Sequence, residues 1–325
     1  MSFNTKKIKK NAFRITKDRE VTALRIRVPG GHIDAKYLSL IKEIADEYGN
    51  GTLHITTRQG FEVPGISFAD FDEVNEKIAP ILEGMEKAIG VEIIDPGDGY
   101  PAAGTRNVSA CIGNRVCRYS NYDTTELAQE IEKNIFPNDY HVKIALSGCP
   151  NDCIKGHLQD FGILGMVEPL YHQERCIGCE ACVNNCKKRV TSALSFEQER
   201  VVRDEQRCIG CGECILQCPT NAWERGDQFF KVVIMGRTGK KNPRLAKPFL
   251  KWASRDVVIA IVNNVYDYIE RHIDTSLAKE HIGYIVDRTG YPQFKEEILK
   301  GVELNSECEI ADKINWNGYQ TGEKI

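Results

Sequence analysis

The chain has 325 residues, 42% hydrophobic and 27% charged, an ordinary globular composition with room for two or three domains. A net charge of -3 gives no reason to expect nucleic acid or a membrane surface as partner. The longest apolar run, Val257–Val262, is far too short to span a bilayer. Basic Met1–Lys10 lacks the apolar core and cleavage site of a secretory leader, so a cytoplasmic protein is expected.

In chain order, residues 11–28 read as two strands, with Phe13 and Ile15 and then Val21, Leu24, Ile26 and Val28 loosely alternating before Pro29-Gly30-Gly31. Asp34 is the expected N-cap of a helix to about Tyr48. A short strand is expected at Thr52–Thr56 and another at Phe61–Val63, ended by Pro64-Gly65. Phe68–Ile89 reads as an amphipathic helix broken near Pro80. This β-β-α-β-β-α order predicts a small α+β unit, closed by a turn-rich linker at 95–104.

Beyond it, Thr124–Lys133 reads as helix, Val142–Leu146 as strand, Pro150–His157 as a short helix and Phe161–Val167 as strand. Strand character resumes at Phe229–Met235, so residues 171–226 interrupt an α/β unit as an insertion. Gly236–Arg244 is a basic, glycine-rich loop that completes no phosphate-binding motif. Val257–Ile273 is a strong helix, Glu296–Leu299 falls on another, and the tail from Asn305 is weakly structured.

Twelve of the 13 cysteines form three sets of four. Cys176, Cys179, Cys182 and Cys186 follow C-x2-C-x2-C-x3-C, as do Cys208, Cys211, Cys214 and Cys218. Cys111 and Cys117, with Cys149 and Cys153, make a rarer C-x5-C and C-x3-C pair. Cys308 is left over as a free thiol. Without a leader, this usage points to metal ligation in a reducing compartment. Zinc is the alternative to iron–sulfur, but three cysteines at x2-x2 spacing suit a cubane better.

The two runs resemble bacterial two-cluster ferredoxins, in which the fourth cysteine ligates the other cluster. That resemblance assigns Cys176, Cys179, Cys182 and Cys218 to one 4Fe–4S cluster, and Cys208, Cys211, Cys214 and Cys186 to a second. Lys187 stands where proline usually follows the first run. Four further segments resemble the siroheme sulfite and nitrite reductase family: the rare cysteine pair, Arg25–Gly31 (R-x-R-x-P-G-G), Thr56–Gly60 (T-T-R-Q-G) and Arg106-Asn107-Val108. With its insertion and short length, the chain resembles the catalytic subunits of anaerobic sulfite reductases within that family.

The resemblance implies a small ferredoxin-like α+β half-domain (1–100), then an α/β domain for siroheme and a 4Fe–4S cluster (101–170 with 227–325), with a 2×(4Fe–4S) ferredoxin domain inserted at 171–226. Cys111, Cys117, Cys149 and Cys153 would hold a third cluster, and Cys153 would also be the axial ligand of siroheme iron. The implied reaction is six-electron reduction of sulfite to sulfide, with electrons arriving through the inserted clusters. Arg25, Arg106 and Lys143 correspond to the family's anion-binding cations, and His141 falls where its other lysine stands. A histidine there can still donate a proton near neutral pH. Siroheme's carboxylates call for cations and N–H donors, for which Arg58, Thr57, Gln59, Arg237, Lys240, Lys241 and Arg244 are candidates. The implied partners are an iron–sulfur electron-transfer subunit and a flavin subunit that oxidises NADH. Other family members share one active site between two repeats. Here either a single repeat folds around its own siroheme, or two chains exchange surfaces in a homo-oligomer. Nitrite as substrate, and a non-catalytic polyferredoxin, are the competing readings.

Overall fold

The computed structural model describes residues 12–17, 20–91, 107–136, 138, 140–239, 241–277 and 280–314. The chain divides into two compact units. The first comprises Met1–Ala110, Thr125–Ile144 and Val262–Ile298, and the second Cys111–Thr124, Ala145–Ile261 and Leu299–Ile325. The helices near the C-terminus thus belong to the unit that the N-terminal strands begin.

The first unit opens with β1 (Phe13–Ile15), β2 (Val21–Ile26), α1 (Tyr37–Glu47), β3 (His54–Ile55), β4 (Phe61–Ser67) and α2 (Phe71–Ala88). The strands form an antiparallel sheet in the order β1-β2-β4-β3. Leu24, Ile26, Val63 and Ile66 from the sheet share one core with Ile41 and Ile44 of α1 and Val74, Ile78 and Ile81 of α2. The helical spacing of those apolar residues is what draws both helices to the sheet. β5 (Ser109–Ala110) and α3 (Thr124–Ile135) follow.

Three local expectations change. Asp34 does not cap α1; its carboxylate accepts the Lys36 N–H at 3.0 Å, and the helix starts at Tyr37. β4 does not stop at Pro64-Gly65 but runs through to Ser67. A register shift opposite, between Thr22 and Ala23, accommodates the proline and Gly65 at φ +93°. α2 continues past Pro80, which is exposed, so the carbonyl it leaves without a donor lies on the solvent side.

In the second unit, β6 (Ile144–Ser147), β7 (Phe161–Tyr171), β10 (Trp223–Ile234), β11 (Lys247–Ala253) and β12 (Glu309–Ile310) lie in the order β12-β11-β10-β7-β6. The pairs from β7 to β12 are antiparallel, so this unit lacks the α/β layout expected of it, while the fold as a whole is the mixed α+β that was expected. The tail beyond Asn305 supplies β12. β7 and β10 pair from Phe161↔Ile234 out to Tyr171↔Trp223. Residues 172–222 leave the end of that ladder and return to it, carrying α4 (Ala181–Arg189), the hairpin of β8 (Leu194–Glu197) and β9 (Arg200–Arg203), and α5 (Glu213–Gln217). Of the remaining helices, α6 (Arg255–His272) crosses the division between units at Ile261, while α7 (Ile282–Thr289) and α8 (Tyr291–Ile298) lie in the first. Among the described residues no helix is long and apolar enough to cross a membrane.

Candidate iron–sulfur and oxyanion site

The rare cysteine set is built on loops at the β6 end of the second unit. The Cys111 N–H donates to the Leu146 carbonyl at 3.0 Å, and the Gly148 N–H points at Cys111 Sγ at 3.1 Å. Cys117 closes a 3-10 turn at Gly113–Arg115, its N–H reaching the Gly113 carbonyl at 2.9 Å. Gly148 must be glycine: a Cβ there would stand 1.9 Å from Ser120 Oγ. After Cys149 the expected helix does not form. Asp152 (φ +49°) and Lys155 (φ +65°) turn the chain left-handed, and the Asp152 carboxylate accepts the N–H groups of Gly156 (2.6 Å) and His157 (3.0 Å). Cys149 is buried and Cys153 exposed. Burial pushes the Cys149 thiol up, the Asn151 N–H opposes that, and the charges of Cys153, Cys117 and Cys111 raise it further. The other three are therefore close enough to influence the Cys149 sulfur.

The eight cysteines of the two repeated runs lie on residues 172–222. Cys182 and Cys186 sit on α4 and are buried, Cys214 lies on α5, and the two helices pack together. Gly210 (φ +60°) and Gly212 (φ +74°) wrap the chain around a cavity lined by Cys186, Cys208, Cys211 and Cys214. Those are the first three cysteines of the second run and the last of the first. Burial pushes Cys211 up to about 11, with Cys208 and Cys186 among the charges adding to it. Cys214 is pushed up as well, mainly by burial. Cys182 also rises, chiefly through burial, and Cys218 contributes to its shift. Burial acts against the Cys218 thiolate too, but N–H groups of Thr220, Ala222 and Trp223 outweigh it and lower the thiol. The Ala222 N–H approaches Cys218 Sγ at 3.1 Å, and the Ala193 N–H approaches Cys186 Sγ at 3.3 Å.

Such donor sets fit iron–sulfur cubanes. Buried thiols with raised pKa values resist ionisation alone and release the proton when a metal cation binds the sulfur, while the N–H groups stabilise charge on sulfur. Among the described residues no three His, Cys, Asp or Glu side chains are arranged to hold one metal ion. Thiolates on a single zinc crowd within about 4 Å of one another, set by Zn–S bonds of about 2.3 Å. A cubane takes one thiolate at each iron and needs them spread around its body.

The expected cations divide between the units. In the first, Arg25 is half-buried and its Nη2 and Nε reach Glu62 Oε1 at 2.6 and 3.0 Å. Burial works against the Glu62 charge, yet the Arg25 and Arg14 guanidiniums outweigh it and hold that carboxyl below its ordinary value. The His141 ring lies tilted against that of His281, centroids 4.9 Å apart, and Lys143 follows at half-exposure. In the second unit, Arg237 and Arg244 are buried and pair through their backbones, with Nε donating to the carbonyls of Asn242 (2.9 Å) and Met235 (2.8 Å) respectively. Lys241, on the loop between them, is exposed. Arg106 and Lys240 lie outside the described residues.

The nitrite and sulphite reductase 4Fe-4S domain matches residues 102–306, and the nitrite/sulfite reductase ferredoxin-like half domain matches residues 14–81. The chain belongs to the nitrite and sulphite reductase family. A subunit of the anaerobic sulfite reductase of Salmonella typhimurium is 42% identical over 309 residues, 94% of this chain and 92% of that protein. The coenzyme F420-dependent sulfite reductase of Methanocaldococcus jannaschii is 32% identical over 278 residues, 85% of this chain and 42% of that protein. Among solved structures, dissimilatory sulfite reductase I has a similar fold, with a TM-score of 0.65 at 16% identity, covering 93% of this chain and 74% of that one. Mycobacterium tuberculosis NirA gives 0.54 at 14% identity, over 89% and 42% respectively.

In this member of the family the three motif segments of the first unit meet at buried Asn107. Its Oδ1 accepts the Val28 N–H at 3.2 Å, its Nδ2 donates to the Arg58 carbonyl at 3.2 Å, and its own carbonyl accepts from Arg58 Nη2. Gln59 exchanges both amide groups with the Ala110 backbone, at 2.7 and 2.8 Å. Arg58 and Gln59 thus hold the motif loop in place, and Thr57 stands exposed at its tip. Sequence reasoning did not single out Asn107 beyond its motif, nor Glu86 and Glu132, which bury the second arginine of R-x-R. Arg27 donates to both, to Glu86 at 3.1 Å. A buried carboxylate partner leaves no periodic trace, and Glu132 reads only as a polar position of α3.

Proposed function

We propose that the chain is the siroheme-bearing catalytic subunit of an anaerobic sulfite reductase and reduces sulfite to sulfide. The observation that carries the reading is the quartet Cys111, Cys117, Cys149 and Cys153, gathered on one unit with three members at least partly covered and Cys153 exposed. An exposed thiolate at the margin of such a set is placed to serve a second group as well as the cluster. The 42% identity to the anaerobic sulfite reductase subunit of Salmonella typhimurium supports sulfite as substrate. When bound, siroheme and three 4Fe–4S clusters would relay, one at a time, the six electrons that the partner reductant provides for sulfite.

The chain's own residues bind the anion and deliver protons. Arg25 and Arg106 neutralise sulfite, and Lys143 and His141 hold the protons that leave with its three oxygens as water. Thr57, Lys240 and Lys241 meet siroheme carboxylates, while Arg58, Gln59, Arg237 and Arg244 fix the loops that carry them and present guanidinium N–H groups at their edges. Residues 171–226 form an inserted two-cluster ferredoxin domain with crossed fourth ligands. The Salmonella relative is named as one subunit of its reductase, which implies companion subunits. We assign them as an iron–sulfur electron carrier and a flavin protein that oxidises NADH, working with this chain in the cytoplasm.

Chemical extraction of the anaerobically purified protein tests this reading. It predicts one siroheme and about thirteen irons per chain, four for each of three cubanes and one in siroheme. Iron–sulfur without siroheme would mean that the chain only carries electrons.

A further inference from the structure

Asn121 belongs to none of the cysteine motifs, yet it touches the loops of two of them. Its backbone N–H donates to the carbonyl of Gly148, the residue before Cys149, at 2.7 Å. Its side-chain Nδ2 donates to the carbonyls of Gly165 in β7 at 3.2 Å and of Gly210 at 3.4 Å. Gly210 lies between Cys208 and Cys211, and its carbonyl also accepts the Val167 N–H at 2.9 Å. Arg225 Nη1 fixes the other end of the amide, donating to Asn121 Oδ1 at 2.6 Å. The amide therefore has one orientation, with both donors toward carbonyls and its oxygen toward a cation.

Space at this junction is tight. A Cβ on Gly212 would lie 3.1 Å from Asn121 Oδ1 and 3.0 Å from Val167. One on Gly210 would lie 2.9 Å from Met166, and one on Gly165 2.6 Å from the Tyr122 ring. The glycines let the Cys208–Cys214 loop lie directly on β7, while the Cys117–Tyr122 loop packs on the same strand. Asn121 connects the two loops by hydrogen bonds on both sides, its backbone N–H toward Gly148 and its side-chain amide toward Gly210: Cys149 to Gly148, Gly148 to Asn121, Asn121 to Gly210, Gly210 to Cys211.

We propose that Asn121 is the positioning residue that couples the two cysteine sets for electron transfer, and that the cubane ligated by Cys186, Cys208, Cys211 and Cys214 is the immediate donor to the Cys111–Cys153 set. The inference rests on the function proposed above. The step moves one electron: the insert is oxidised by one unit, the Cys111 set is reduced by one, and no bond forms or breaks. The reductant is a low-potential one-electron donor acting on the insert. Cys176, Cys179, Cys182 and Cys218 hold the outer relay, since Cys179 and the neighbouring Ile177 are exposed.

The test compares the complete protein with its Asn121→Ala and Asn121→Asp variants. Asp keeps an acceptor for Arg225 and loses the donors to Gly165 and Gly210. Iron and siroheme are quantified first. Each protein is then reduced with a viologen radical, and the magnetic interaction between reduced clusters and the rate of electron arrival at the Cys111 set are recorded. Both variants should retain full iron, show a weakened spin–spin interaction, and slow the transfer at least about tenfold. Fully loaded variants with unchanged interaction and rate would overturn the Asn121 assignment alone. Unmutated protein lacking siroheme would overturn the proposed function, and this inference with it. If Asn121→Ala does not fold, Asn121→Asp and Arg225→Ala decide the matter by the same two readouts.

Discussion

Arg27 and Glu132, 105 positions apart in sequence, form an ion pair almost entirely withdrawn from solvent, with side chains 3% and 0% exposed. The second oxygen of Glu132 accepts the Val108 N–H at 2.5 Å, so the pair also pins the segment that precedes the cysteines. Arg27 serves a second buried carboxylate, Glu86, at 3.1 Å. Removing the common cation leaves the Glu132 carboxylate without its counter-charge and Glu86 without its donor. Arg27→Met is expected to cost about 3–5 kcal/mol in urea unfolding, because a buried charge loses its partner. A loss below about 1 kcal/mol, the range of exposed pairs, would contradict this.

One arginine cannot neutralise two buried carboxylates, so the group holds a proton. Burial raises Glu86 to about 7 against Arg27's opposing pull, with Glu132 adding to the rise. Glu132 is raised too, chiefly by burial, but Arg27 and the Val108 N–H both favour its charge, so Glu86 keeps the proton. A carboxyl whose folded pKa lies above its unfolded 4.5 stabilises the fold fully below that value and loses the contribution as pH rises to about 7. The loss is about 3 kcal/mol at 1.36 kcal/mol per pKa unit. Glu86→Gln should flatten the fall in stability across this window, measured by chemical denaturation at several pH values. An unaltered pH profile would place the proton elsewhere.

Cys153 and Cys186 separate the cysteine sets experimentally. Cys153→Ser is expected to abolish magnetic coupling between siroheme and its cluster while leaving the insert's spectra intact. Cys186→Ser should disturb the cubane held by Cys208, Cys211 and Cys214 and spare the one held by its own sequence neighbours. Loss of the Cys176–Cys182 signal instead would show that the fourth ligands do not cross.

Glu62 competes with any anion for Arg25. Glu62→Gln weakens that hold, and the sulfite KM is expected to fall while kcat changes little, since the cation becomes more available in the ground state. A raised KM would mean that Glu62 instead orients Arg25 toward the anion.

Much of this was legible in the sequence because period and spacing are local. The apolar face of α2, the alternation in β2 and the cysteine runs each signal themselves within a few residues. Pro64 and Pro80 misled because their cost depends on where the strand shifts register and which way the helix faces. The turn after Cys149 misled because left-handed Asp152 and Lys155 are set by a carboxylate capping two N–H groups. The loop roles of Arg58, Gln59 and Asn107 were hidden for a related reason. Their partners lie 49 to 86 positions away, and nothing in a T-T-R-Q-G motif says whether its arginine faces a cofactor or its own backbone.

Anaerobic turnover of the siroheme-loaded chain with a reduced dye, sulfite and nitrite side by side, decides whether this chain is a sulfite reductase in its own right. Stoichiometric sulfide and a higher kcat/KM for sulfite are the expected result. A marked preference for nitrite with ammonium as product, or no turnover of either by fully loaded protein, would contradict it.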